Sequence, residues 1–172
     1  MNAAILLIPL FIIRYGLLFF LNRGAISKAA HFPPMQGIGK TMRLIYQVST
    51  LAIIIYSFFL DISAIVYWRY VGLIVYFLGV ELLILAVVDF TKPNGNGFCR
   101  TGLYRISRNP MYVSYFIYFL GCVLLTQSLI LFGMLCVFQI SSHWIILSEE
   151  RWCIDQFGAE YTVYMKMVRR YI

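Results

Sequence analysis

A chain of 172 residues that is 62% hydrophobic, 17% aromatic and only 12% charged has a mean hydropathy of +0.82. Soluble domains carry about twice that charge, so the composition excludes an ordinary water-soluble domain and points to one multi-pass membrane bundle filling the whole length. The net charge of +7 would suggest nucleic acid in a soluble chain; here loop lysines and arginines on one membrane face account for it, and no nucleic-acid partner is expected.

The first predicted span runs from about Ala3 to Leu21. It lacks a basic start and an Ala-x-Ala-like site, so it reads as an anchor and not as a cleaved signal peptide. Its single charge, Arg14, either snorkels to the headgroups or faces the bundle. The loop from Asn22 to Arg43 is basic (Arg23, Lys28, Lys40, Arg43) and contains His31-Phe32-Pro33-Pro34, whose prolines break any helix. That loop suits a course along the membrane surface.

Span two is predicted over about Leu44–Leu60, and span three over about Tyr70–Phe90. Span three holds Glu81, with Asp89 near its end. An intramembrane carboxylate is costly, so it is either a structural ion-pair partner, with Arg14 as a candidate, or a substrate-facing group. Glu81 and Asp89 are eight residues apart and lie on roughly the same helix side. The next loop opens with the turn signal Lys92-Pro93-Asn94-Gly95-Asn96-Gly97 and leads into Thr101–Tyr112. There Asn109 suits an N-cap, its side-chain oxygen accepting a free backbone N–H, and Pro110 suits the first helical position. A helix beginning there aims unpaired N–H groups and a positive dipole end at an arginine-rich surface, an arrangement that holds anions.

From Met111 to Leu147 no residue is charged. That run suits two spans of about 18 residues, turning at Thr126-Gln127-Ser128 as a tight helical hairpin. Gly121, Gly133 and Ser141 would allow close helix contact. His143 and Glu150, seven residues apart, share a helix face; a lone histidine here acts as an interhelical hydrogen-bond partner or as a proton acceptor. The tail from Glu149 is amphipathic. Gly158 reads as a helix C-cap, followed by a short helix carrying Tyr161, Tyr164, Met165 and Val168 and ending in Arg169-Arg170.

The fold class is therefore all-α: a polytopic bundle of about five transmembrane helices in a single membrane domain, 1–172. Three N-terminal spans fill 1–100; the motif, hairpin and tail fill 101–172. The loops 22–43 and 91–109 and the tail from Glu149 hold four cations each, whereas the opposite loops hold only Arg69. The positive-inside rule then sets the N-terminus outside and the C-terminus in the cytosol. Arg108-Asn109-Pro110 and Glu149-Glu150 emerge on the same face and must come close. Together they offer amides, arginines and tyrosines on one side and two carboxylates on the other, which matches an amphoteric nucleotide cofactor such as S-adenosylmethionine. The four cysteines are scattered and the two histidines far apart, so no metal is expected.

The pattern Gly102-x-Tyr104-(x3)-Arg108-Asn109-Pro110-Met111-Tyr112, then a hairpin, then Glu149-Glu150-(x6)-Phe157-Gly158-x-Glu160-Tyr161-(x2)-Tyr164-(x3)-Val168, resembles the isoprenylcysteine carboxyl methyltransferase and phospholipid methyltransferase superfamily. The resemblance covers Thr101 to the end. It implies an integral-membrane enzyme that takes S-adenosylmethionine and methylates a lipid-like or prenylated acceptor at the cytosolic face; separately, a bacterial or archaeal inner membrane is expected in preference to endoplasmic reticulum. Carried over by position, the expected cofactor-site residues are Gly102, Tyr104, Arg108, Asn109, Tyr112, Glu149 and Glu150. The prenylcysteine enzymes have histidine where this chain has Asn109, which weakens assignment to that branch. Glu81, His143 and Arg169 are the expected catalytic residues: Glu81, His143 or Glu150 as proton acceptor for an amine or hydroxyl, and Arg169 or Arg170 for an anionic acceptor. Competing readings are an NADPH-binding membrane reductase related to sterol reductases, which are much longer, and a non-catalytic lipid-binding membrane protein.

Overall fold

The computed structural model describes residues 1–21, 37–63, 65–92 and 97–172, and throughout them the chain is helical with extended connections. The His31-Phe-Pro-Pro loop and the Pro93–Asn96 part of the turn signal lie outside the described residues. In chain order the helices are α1 (Ala3–Leu21), α2 (Ile38–Ser57), α3 (Val66–Thr91), α4 (Pro110–Thr126) and α5 (Leu129–Met167), with a 3-10 turn, Gly102–Arg105, before α4. Four are long and apolar enough to cross a membrane; α4, with 17 residues, is shorter but equally apolar.

Local chemistry sets the boundaries. α2 begins six residues before the expected Leu44, because Gly37, at φ 56, breaks the chain there and the stems of Lys40 and Arg43 are tolerated in the first two turns. Pro110 occupies an early position of α4, where a missing N–H costs nothing. The α4–α5 turn is as tight as expected. Gln127 is left-handed at φ 53, and the Ser128 side chain accepts the Leu131 N–H at 3.2 Å to start α5. α5 carries 39 residues, and its unbroken run from Leu129 to Phe157 is roughly 44 Å at 1.5 Å per residue, longer than a bilayer's hydrocarbon core of about 30 Å, so its last turns reach beyond the length needed to cross the apolar layer. It is broken at Gly158, at φ 55 and ψ −126, where the sequence predicts a glycine stop.

α1 is irregular. It passes from 3-10 through α to a π-helical stretch, Ile12–Leu17, that contains Arg14. Pro9 has no N–H to give, and in the turn before it the Leu6 carbonyl accepts the Tyr76 hydroxyl at 2.8 Å and also the Tyr118 hydroxyl. These bonds tie α1 to α3 and α4.

Between helices in lipid, close packing and hydrogen bonds replace the hydrophobic drive. α4 packs chiefly on α3 and α5 chiefly on α2. A Cβ on Gly79 would come within 2.5 Å of the Tyr118 backbone, and one on Gly121 within 2.5 Å of the Tyr76 backbone, so the α3–α4 contact is backbone to backbone. Gly121 thus serves helix contact, but towards α3. Gly133 does not: a Cβ there would meet nothing within 4 Å. Ser141 is fully buried and bonds to the Val137 and Phe138 carbonyls of its own helix.

Asp89 and Glu81 part company. Asp89 is buried, pairs with Lys92, and accepts the Leu103 N–H at 2.8 Å. Glu81 is exposed on the outer face of α3. Neither pairs with Arg14, which donates to the Tyr115 hydroxyl at 2.6 Å.

Candidate functional site

At the end of the bundle opposite their turn, α4 and α5 are joined by a cluster of polar side chains. Tyr112, one turn into α4, donates its hydroxyl to Glu149 Oε1 at 2.9 Å. Arg108, just before α4, places Nη2 3.3 Å from Glu150 Oε1. The expected meeting of the Arg108 segment with Glu149-Glu150 therefore occurs. It occurs because the chain between them is a helix, a tight turn and a helix, and so returns to the same end.

A third segment completes the cluster. Beyond Gly158, α5 folds back and ends, and Val168 turns extended. Arg169 pairs with Ser107 as an isolated parallel bridge; Arg108 donates its backbone N–H to the Arg169 carbonyl at 2.9 Å. The Arg170 carbonyl accepts from Ser107 Oγ at 3.3 Å and from Asn109 Nδ2 at 3.1 Å. Arg170 then grips Glu150 through Nε, 3.1 Å from both carboxylate oxygens, and Nη2, 2.8 Å from Oε2. This hydrogen bonding holds the Arg170 guanidinium proton more firmly than usual. Next to it, Tyr171 places its hydroxyl 2.6 Å from His143 Nδ1, and its own burial pushes that phenol up from its ordinary value.

Glu150 is thus buried between two cations, whereas Glu149 accepts from the neutral Tyr112 hydroxyl. Arg108 is nearly as buried as Glu150, yet its Nε and Nη1 meet no hydrogen-bond partner. Buried donors left open carry a penalty of about 1–3 kcal/mol each. Such a cost is recovered when an anion reaches them.

The other expected positions sort as follows. Asn109 stands at the N-cap of α4, but its side chain makes no cap bond; the amide is turned to Arg170. Gly102, at φ 57, lies over Asp89: a Cβ there would fall 1.8 Å from Asp89 Oδ2, so the glycine lets the 3-10 turn sit on that carboxylate. Tyr104 is buried, its carbonyl accepting the Tyr164 hydroxyl at 2.6 Å. His143 reaches the cluster through Tyr171. The Arg169 side chain is exposed at its edge, and Glu81 is apart from it. Beneath the cluster, Tyr115 lies 6.5 Å from Tyr112, ring to ring, and brings in Arg14 from α1. Arg14 is legible in the sequence only as a lone charge in an apolar span; Tyr115 and Tyr171 carry no signal among many aromatics.

An outer aromatic group braces the folded-back end. Phe98 lies 5.0 Å from Phe157, 5.1 Å from Tyr161 and 5.5 Å from Tyr164, with the Arg100 guanidinium 4.8 Å over its ring.

No curated protein matches the chain at a significant level. The family model described as phospholipid methyltransferase matches residues 47–160, from within α2 to just past the α5 break, and so takes in α3, the motif, the hairpin and both glutamates. On that match the chain belongs to the phospholipid methyltransferase family, membrane methyltransferases that act on lipid.

Proposed function

We propose that the chain uses S-adenosylmethionine to methylate an amine-bearing phospholipid-type acceptor at the cytosolic face of its membrane. The observation that carries this reading is the buried cluster at the α4–α5 seam. Arg108 holds two open donors there, and Glu149 accepts from a neutral hydroxyl.

The residues present fit the cofactor. The Arg108 N–H groups suit its carboxylate, and Glu149 with Tyr112 suits its ammonium or ribose hydroxyls. Bound there, the cofactor supplies a methyl group made electrophilic by the sulfonium. Glu150 keeps Arg108 and Arg170 in place, a positioning role. Asn109 contributes by fixing the Arg170 carbonyl, and Gly102 and Tyr104 by shaping the turn that presents Arg108. An ammonium acceptor must lose a proton before its nitrogen can react, and His143, oriented by Tyr171, is the group to take it. Arg169, exposed at the rim, meets anionic headgroups arriving at the surface. The cations that flank this end support a cytosolic location for it, with the N-terminus outside. The whole chain acts as one membrane domain.

Incubating membranes that contain the protein with methyl-labelled S-adenosylmethionine, then identifying labelled lipid by mass spectrometry, tests the reading. Base-stable label on an amine headgroup is expected. Base-labile label would mark an ester and remove the amine assignment; no label, together with no calorimetric binding of the cofactor, would remove the function.

A further inference from the structure

Glu81 lies 15 residues from the start of α3 and 10 from its end, roughly 22 Å and 15 Å along the axis, and so deep in the apolar layer. Its side chain is exposed on the outer face, and among the described residues its carboxyl has neither an ion pair nor a hydrogen bond. A carboxyl turned to hydrocarbon at that depth is costly unless a partner meets it. The cation set deep in α1, Arg14, donates to the Tyr115 hydroxyl of its own bundle and does not supply that partner.

The residues around Glu81 repeat every seven. Tyr67, Ile74 and Glu81 fall on one line of the helix, and Tyr70, Phe77 and Ile84 on the line three residues further on. All six are exposed. This is the spacing with which one helix takes another along a left-handed coiled-coil seam. The inward side of α3 is separate from it. Gly79 and Leu83, each two residues from Glu81 and so about 160° round the axis, are buried, and a Cβ on Gly79 would strike the Tyr118 backbone of α4. One face of α3 thus holds α4, and the other carries a heptad stripe with a carboxyl in its middle.

We infer that this face of α3 is the interface of a parallel homodimer, with Glu81 paired to its own counterpart across the twofold axis. Two copies inserted in one membrane with the same topology stand parallel, and an axis normal to the membrane sets each residue of the stripe against itself. A protonated carboxyl both donates and accepts, so two of them satisfy each other with shared protons and need no cation. A single polar residue on the inner line of an otherwise apolar coiled coil is also what fixes register and the number of strands. The stripe is on the side of α3 away from α4, so each copy keeps a whole cluster between its own α4 and α5. The pairing does not depend on the reaction the chain catalyses.

The test reads the oligomeric state of the full chain in lipid. Protein labelled with donor or acceptor dye is mixed in phospholipid vesicles over a series of protein-to-lipid ratios, and energy transfer reports the dimer. Wild type is expected to show saturable transfer. Glu81→Leu is expected to weaken the dimer at least about fivefold, the worth of an intramembrane polar contact, whereas Glu81→Gln, whose amide also donates and accepts, stays within about threefold of wild type. Wild type that shows only chance transfer at the highest density overturns the inference, whatever other protein is found on this face. So does Glu81→Leu that dimerises as tightly as wild type. Oxidative cross-linking in membranes gives a second readout in a helix that keeps Glu81. Ile74→Cys, one heptad from Glu81 on the same line, is expected to form a disulfide-linked dimer; wild type, whose exposed Cys136 is on α5, is expected to form none through that residue. No covalent dimer from Ile74→Cys, or one through Cys136 in wild type, places the contact elsewhere and overturns the inference.

Discussion

Replacing Glu150 by glutamine removes one negative charge from a pocket holding two guanidinium groups. The Glu150 side chain is 4% exposed and that of Arg108 8%. Arg108 already has Nε and Nη1 unpartnered, so the substitution leaves a buried cation with no counter-charge. Removing one member of a buried pair costs about 3–5 kcal/mol. Arg170 is 31% exposed, so its half of the arrangement is screened and is discounted to about 1 kcal/mol or less. The Arg108 half stands nearly in full, and the variant is expected to lose about 3–4 kcal/mol. At about 2–4 °C per kcal/mol for a chain of this size, Tm falls by roughly 6–16 °C. Arg170→Met, which removes only the screened half, is expected to lower Tm by no more than about 2–4 °C. Thermal unfolding in detergent, followed by size exclusion of the surviving fraction, reads both. A Glu150→Gln protein melting within about 2 °C of wild type would refute the claim that this carboxylate anchors both arginines.

Gly121→Ala drives a methyl into the Tyr76 backbone and is expected to destabilise the fold by at least about 2 kcal/mol, whereas Gly133→Ala, in open space on α5, is expected to be neutral or to raise Tm slightly through about 1 kcal/mol of helix propensity. Gly102→Ala combines a left-handed φ with a collision against Asp89; cofactor affinity by calorimetry and Tm should both fall, because the turn presenting Arg108 shifts. Tyr112→Phe removes one bond from Glu149 and should weaken S-adenosylmethionine binding about two- to tenfold in calorimetry; unchanged affinity would take Glu149 out of the cofactor site. His143→Gln is expected to slow methylation of an amine lipid by about a hundredfold or more while cofactor affinity stays within about twofold; an unaltered rate would exclude it as the proton acceptor.

Much of the molecule is written in the order of its residues. Spans follow from apolar length, the α4–α5 turn from three polar residues in an otherwise uncharged run, and the meeting of Arg108 with Glu150 from the geometry of a helical hairpin. Gly158 announces its own break, since few other residues adopt φ 55 without strain. What stays hidden depends on tertiary choice. Asn109 has the chemistry of a cap, but its side-chain amide donates to the Arg170 carbonyl, a partner a cap would not use. Arginines 169 and 170 are indistinguishable as neighbours in a basic tail; an extended backbone sends one side chain to Glu150 and the other outward. Arg14 could snorkel or face inward with equal chemical reason, and the Tyr115 hydroxyl that accepts from it is not marked out among the many aromatics of the sequence. The family match from residue 47 shows that α2 and α3 carry family character that reading residue types alone does not expose.

The pairing of α3 with α4 and of α2 with α5 gives the bundle the mechanics of tongs. The two arms are joined at Gln127-Ser128, and the contacts that matter most to the site, Tyr112 with Glu149 and Arg108 with Glu150, are at the tips. Tyr112 is 14 residues from the pivot at Thr126, a lever of roughly 21 Å. At that radius a rotation of about 3° at the turn moves the tips by about 1 Å, enough to make or break a hydrogen bond. A substitution at the pivot, at the opposite end of the two helices from the cluster, is therefore geared to act on the tips, and the polar bonds of the cluster double as the clasp that keeps the arms shut.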